Sequence, residues 1–268
     1  MKIIDTHAHI FPSKIADKAV ESISDFYSTK MQHKGSDDAL IESGSKIGVE
    51  KYLVFSTATK PQQVESINDF ILEEINSHEE FIGLGTMFKG YEHYADELQR
   101  LKKAGVHGIK LHPDFQKFDF NDKELFPVFD TLVQLNMFVL THAGDYRYGY
   151  SHPEKIADIA KKFPKLNIIG AHFGGWSQWD IARDILNIPN MYFDTSSTMG
   201  FKGLDEAKKG FETFDNSHIF FATDFPMWDH EKELENIMSL NLSPTVTENV
   251  LYNNFVSFYS QYSDLFND

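Results

Sequence analysis

Short apolar runs rich in β-branched residues recur along the chain and alternate with longer stretches whose apolar positions return at helical spacing. The runs predict strands at Lys2–His7, Lys51–Ser56, Phe81–Thr86, Gly108–Leu111, Met137–Thr141, Asn167–Ala171, Met191–Asp194 and His218–Thr223. Between them, Leu98, Leu101 and Ala104 share one side of Tyr94–Ala104. Ile156, Ile159, Ala160 and Phe163 likewise share one side of Glu154–Phe163. Eight strands alternating with helices predict an α/β chain folded as a (β/α)8 TIM barrel, with residues 1–268 forming one domain. A doubly wound sheet would place its site at one switch point, whereas here polar groups gather from the first strand and the last.

One connection breaks the rhythm. About forty residues separate His9 from the second strand, against the short loops usual in such units. Phe11–Lys30 has helical character, and Ser36-Asp37-Asp38 starts a further helix over Ser36–Ile47. Residues 11–50 thus form a helical insertion on the face where a barrel keeps its active site, as a lid or substrate wall, or as a structural cap. Thr247–Tyr259, with Val250, Leu251, Phe255 and Phe258 on one face, predicts a closing helix.

The strand ends carry the chemistry. His7 and His9 lie two apart on the first strand and so point the same way. Lys110 and His112, His142, His172 and Asp224 end strands four, five, six and eight, with Gly170 and Ala222 one layer below His172 and Asp224. A lone strand histidine is more often a hydrogen-bonded core residue than a ligand. Five of the twelve histidines at strand ends, with an aspartate, are another matter, because burying so many ionisable groups without a metal is costly. Asp194, ending strand seven, reads as a partner that orients one of these histidines.

Composition narrows the field. A net charge of −15 disfavours nucleic acid as a partner, and the absence of cysteine excludes thiolate ligands and disulfides. The apolar fraction of 41% with 24 Phe predicts a large aromatic core. No segment has the ~20 apolar residues of a membrane span, and with a strand beginning at Lys2 the expected location is cytoplasmic.

Asp5-Thr6-His7-Ala8-His9, Thr141-His142-Ala143-Gly144, Gly170-Ala171-His172-Phe173-Gly174-Gly175 and Ala222-Thr223-Asp224-Phe225-Pro226 together resemble the motifs of the amidohydrolase superfamily. The branch they resemble includes aminocarboxymuconate semialdehyde decarboxylase, and Val250-Leu251-Tyr252-Asn253-Asn254-Phe255 resembles its closing helix. The resemblance implies that His7, His9, His142 and Asp224 hold one divalent metal, usually Zn2+, with Mn2+ as the alternative, and that His172 transfers protons. In binuclear relatives both later histidines bind a second ion, bridged by a carboxylated lysine of strand four. Lys110 stands there, either in that role or unmodified against a substrate carboxylate. His112 has an alternative as the start of a His-Pro turn. Relatives often pair, which makes a homodimer an option.

The implied reaction is attack of a metal-activated water on a carbonyl of a small-molecule amide, lactone or ester, with Asp224 taking the proton and His172 or Asp224 returning it to the leaving group. Non-oxidative decarboxylation of a small carboxylic acid is the alternative, and a non-catalytic binding barrel a third. Decarboxylases of the branch commonly use an arginine after strand one, but no arginine precedes Arg100, which favours hydrolysis. Around the site, Arg147 is a candidate for a substrate carboxylate or a surface salt bridge, and Trp176 and Trp228 for an apolar wall or for packing of the loops.

Overall fold

The computed structural model describes residues 1–266, so the last two positions of the 1–268 unit lie outside it. Eight strands form a parallel barrel: β1 (Ile3–His9), β2 (Val49–Phe55), β3 (Phe81–Gly83 continued by Gly85–Thr86), β4 (Gly108–Leu111), β5 (Phe138–Thr141), β6 (Ile168–Gly170), β7 (Met191–Asp194) and β8 (Ile219–Phe220). Each pairs with its sequence neighbour. In β3 the Leu84 N–H still donates to Val54 O at 2.9 Å across the break. Closure joins the first strand to the last through Thr6 N–H to Phe221 O at 3.1 Å and His9 N–H to Phe225 O at 2.8 Å. The barrel expected from the pattern is the fold, and closure brings His7 and His9 to Asp224.

Side-chain alternation sorts the core into shells. Ile109, Leu111, Val139 and Ile168 face the surrounding helices, where they meet Leu98, Leu101, Phe129 and Leu132. Phe138, Leu140, Ile169 and Phe220 fill the barrel, together with Phe255 and Phe258 from the closing helix Asn254–Tyr259. Phe258 sits 5.0 Å from Phe138, 4.6 Å from Tyr192 and 5.3 Å from Phe220, ring centre to ring centre. The many phenylalanines therefore serve the barrel's floor as well as its outer layer.

In two strands simple alternation fails, and both failures aim functional side chains. In β1, Asp5 pairs with Tyr52 and Ala8 with Val54, so one extra residue bulges between them. Ile4 faces the barrel interior and Ala8 the outer layer, which leaves His7 and His9 pointing inward. In β6 the expected phase was wrong: Ile169 and Ala171 face inward, and Gly170 faces outward, where a Cβ would meet Gly174 and Met191. His172 reaches the interior because its own backbone turns into the left-handed region at φ 60°.

The insertion contributes two helices, Ala16–Tyr27 and Asp37–Ser45, the second capped by the Ser36 hydroxyl accepting from Ala39 N–H. Both are shorter than the sequence pattern predicts: residues 11–15 and 28–30 lie outside the first helix, and the chain turns at residues 46–48 after the second. Among the described residues, no helix is long and apolar enough to cross a membrane.

Replacing Phe258 with Ala removes a ring that touches three strands and should cost about 3–5 kcal/mol, read as a lowered urea midpoint. A second prediction concerns Glu233 on the helix His230–Ser239, whose Oε2 has no partner. Burial raises its carboxyl from 4.5 to about 8, with Asp5 and Asp224 adding to the rise and a hydrogen bond from Asn236 opposing it. Between those values the folded chain holds a proton that the unfolded chain has released, so stability falls as pH rises through that window. Glu233→Gln should leave the urea midpoint at pH 5 near the native value and exceed it clearly at pH 8.

Candidate metal centre

The C-terminal ends of β1, β4, β5, β6 and β8 converge on a cavity of about 20 Å³, room for a single small ion or water. Its polar lining is His7, His9, Lys110, His142, His172 and Asp224, with His112 at one side. The insertion covers it with Ile23, Tyr27 and Met31. The structure thus brings together every strand-end residue singled out from the sequence.

Hydrogen bonds fix which nitrogen is bare. Asp194 Oδ2 accepts from His7 Nδ1 at 2.8 Å, so the proton resides on Nδ1 and the Nε2 lone pair points into the cavity. Asp194 Oδ1 accepts from His172 N–H at 2.9 Å, from Ser196 N–H at 3.1 Å and from the Ser196 hydroxyl. His172 Nδ1 donates to Ser196 O at 3.1 Å, which leaves its Nε2 bare as well. Asp194 takes the orienting part expected of it.

The bare His7 Nε2 faces Asp224 Oδ1 at 3.2 Å and His9 Nε2 at 3.3 Å, and His9 Nε2 lies 3.4 Å from Asp224 Oδ1. Two acceptors at 3.2 Å repel unless positive charge lies between them. Donors sharing one four-coordinate ion at ~2.0–2.1 Å stand about 3.3 Å apart, so the triangle has the right size. Protonation agrees with that use. Burial, reinforced by the charge of Lys110, holds His7 well below the ordinary imidazole range, and burial also lowers His9. Burial pushes the Asp224 carboxyl up, but the imidazoles of His7 and His9 overcome it and hold the group below the usual carboxylate range. The Ser197 hydroxyl donates to Asp224 Oδ2 at 2.6 Å and fixes the other oxygen.

His142 stands apart from this triangle. Its Nδ1 faces His172 Nε2 at 3.1 Å, and its Nε2 is buried without a partner, 4.0 Å from Asp114 Oδ2. The cavity therefore holds two donor groups, His7–His9–Asp224 and His142–His172. Lys110 Nζ lies 3.2 Å from His7 Nε2 and 4.6 Å from the centre of the Phe55 ring. Burial lowers its ammonium to about 7, partly offset by Asp194 and Asp224.

Two of these strand-end residues occupy strained backbone. His172 and Asp224 both have φ 60°, at about 1–2 kcal/mol each for a residue with a side chain. The loops beyond allow it by packing closely: Gly144, at φ 86°, approaches Gly175 so tightly that a Cβ would fall 2.4 Å from its backbone.

Tyr27 is a site residue that the sequence did not reveal. His112 Nδ1 accepts from Phe115 N–H at 3.3 Å, so Nε2 carries the proton and donates to the Tyr27 oxygen at 2.9 Å. The phenol keeps its own hydrogen for the cavity, and burial raises it well above its ordinary value. His112 thus combines the turn-capping role with a position in the site. A hydroxyl on an amphipathic helix gives no sequence signal, because only the folded insertion carries it over the strand ends.

Three expected substrate contacts are placed elsewhere. The Arg147 guanidinium donates to Asp145 at 3.0 and 2.7 Å and to Phe26 O at 2.5 Å, and lies 5.0 Å from the Trp176 ring. It clamps the loop after β5 to the insertion and does not line the cavity. Trp176 packs behind Tyr27 at 5.3 Å. Trp228 donates to Ser197 Oγ at 2.9 Å, behind Asp224. Both rings support other site residues, and the apolar lining comes instead from Ile23, Met31, Phe115, Pro226 and Met227.

Residues 4–259 match the amidohydrolase family. Among solved structures, a TIM-barrel protein from Bordetella bronchiseptica is 16% identical, covering 98% of this chain and 99% of its own, with a TM-score of 0.80. A dihydroxybenzoic acid decarboxylase from Polaromonas sp. JS666, with bound manganese and the inhibitor 2-nitroresorcinol, is 14% identical, covering 100% and 99%, with a TM-score of 0.75. A proposed 2-pyrone-4,6-dicarboxylic acid hydrolase from Pseudomonas putida is 15% identical, covering 97% of each chain, with a TM-score of 0.69.

Asp194→Asn frees the His7 ring to carry its proton on the cavity side. Zinc affinity, measured by competition with a chromogenic chelator, should fall about 10–100-fold while the far-ultraviolet circular dichroism stays native. Native affinity in the variant would contradict the tautomer assignment.

Proposed function

Because the chain belongs to the amidohydrolase family, we propose that it is a metal-dependent hydrolase of a small-molecule amide, lactone or ester. The observation that carries the reading is the convergence of His7 Nε2, His9 Nε2 and Asp224 Oδ1 within 3.4 Å of one another beside a water-sized space. We assign these three, with His142, to a divalent ion, zinc by the chemistry of a nitrogen-rich donor set, though a structural neighbour carries manganese. Such an ion supplies Lewis acidity and makes water a nucleophile at neutral pH. A second ion would use His142 and His172, with Lys110 carboxylated as the bridge.

The chain's own groups complete the chemistry. Asp224 Oδ1, whose partner oxygen is fixed by Ser197, is the base that takes the proton of the attacking water. His172, whose Nδ1 is committed to Ser196 O, receives that proton at Nε2 and passes it to the leaving group. Tyr27 lines the cavity, and with its oxygen accepting from His112 its hydroxyl is the donor to a carbonyl oxygen that gains charge during attack. No arginine lines the cavity among the described residues, which leaves a departing carboxylate without a bidentate partner. That favours addition of water over loss of carbon dioxide.

Decarboxylation is the second reading. Ile23, Met31 and Met227 give the cavity an apolar cover, and exclusion of water favours proton transfer to carbon once carbon dioxide leaves.

Two measurements test these assignments. Metal-loaded protein incubated in 18O-water with a panel of esters, lactones, amides and hydroxybenzoates should place one heavy oxygen in the product acid without releasing carbon dioxide. Carbon dioxide without heavy oxygen would support the second reading, and neither product from a folded, metal-loaded chain would contradict both. Tyr27→Phe, which removes the donor and keeps the ring, should lower kcat about 10–1000-fold with a smaller change in KM.

A further inference from the structure

The cavity over the metal-binding residues, at about 20 Å³, is too small for an organic substrate, whose sites usually measure about 300–1,000 Å³. A groove of about 850 Å³ adjoins it. One wall is the insertion, with Phe11, Ile15, Ala19 and Phe26; the other is the segment after β2, with Ile67 and Phe70. His9, Ile23 and Phe115 line both spaces, so the groove begins at a proposed metal ligand. Nine of its seventeen lining residues are apolar, most of the others are Ser or Thr, and Lys18 is the one Lys, Arg, Asp or Glu among them. Ile15, 51% exposed, is one of the apolar side chains at the groove.

We propose that this groove holds an extended apolar tail of the substrate, an acyl or arylalkyl chain whose reactive carbonyl or carboxylate lies at His9 and Asp224. The assignment of the head group rests on the metal-centre reading above; the assignment of the tail rests on the groove. The occupant follows from size and continuity. A head group at His9 has no room for the rest of its molecule in the small cavity, and the space sharing His9 with it is far larger and offers apolar side chains on both walls. Ile23 and Phe115 line both spaces and so form their shared border. The insertion then acts as the wall that selects the tail, as well as the cover of the reacting end.

Unreactive carboxylates of increasing length are suitable probes, with butyrate, octanoate and dodecanoate titrated calorimetrically into zinc-loaded protein. Each added methylene in a partly open groove should tighten binding about twofold, which makes dodecanoate about 250-fold tighter than butyrate. Ala19→Trp and Ser66→Trp fill the groove from opposite walls, and in both the dodecanoate-to-butyrate ratio should fall below about tenfold. Metal content of each variant confirms that the chain has folded around its site. A flat series in the native protein, or a slope that survives both substitutions, would overturn the tail assignment. Removing the metal should weaken the whole series by a common factor and leave the slope intact. Equal affinity with and without metal would overturn the head-group placement, and with it the metal-centre reading, while leaving the groove as a tail site.

Discussion

The 2.8 Å hydrogen bond from His7 Nδ1 to Asp194 decides which side of the imidazole is bare, and the rest of the site follows from it. With Nδ1 committed, Nε2 presents a lone pair to Asp224 Oδ1 and His9 Nε2 at distances that suit a shared cation. Asp194 also holds the His172 backbone and Ser196, so one carboxylate sets two histidines from two strands. Asp194 belongs to β7, His7 to β1 and His172 to the end of β6, so this control exists only in a closed barrel.

Closure in turn depends on irregularities. The bulge in β1 turns His7 and His9 inward, and left-handed backbone at His172 and Asp224 brings those side chains over the open end. Strain of this kind persists where surrounding contacts over-determine it. Here Asp5 ties β1 to Thr223 through both its backbone and its hydroxyl while accepting from His230, and Gly144 lets the loops after β5 and β6 touch. The apolar core, with its phenylalanine-filled floor, supplies the stability against which this strain is held.

Much of the fold and of the candidate site was legible in the sequence because strand ends obey a simple rule. A run of apolar residues ending in His or Asp puts that residue at the mouth of a barrel. Alternation located Lys110 and Asp224, and spacing paired His7 with His9. Alternation misplaced Gly170, since the turn at His172 breaks the period of two and no residue type announces it. Arg147 stayed open between a substrate contact and a salt bridge because a sequence shows the charge but not its partners, here Asp145 two residues earlier and the Phe26 carbonyl. Tyr27, the phenol over the site, and the groove beside it depend on how the insertion folds back. Such long-range placement leaves no periodic trace. The family and the barrel follow from the strands, whereas the insertion that covers the cavity with Ile23, Tyr27 and Met31 is described by no strand-end motif.

Every role given to these side chains requires that the strand-end histidines and Asp224 hold a divalent ion. Elemental analysis of protein purified without chelators tests it most directly. One or two equivalents per chain are expected, lost together with the ability to rebind when His7 and His9 are both replaced by Ala. A folded native chain that carries no metal, and takes up none when zinc or manganese is supplied, would contradict it.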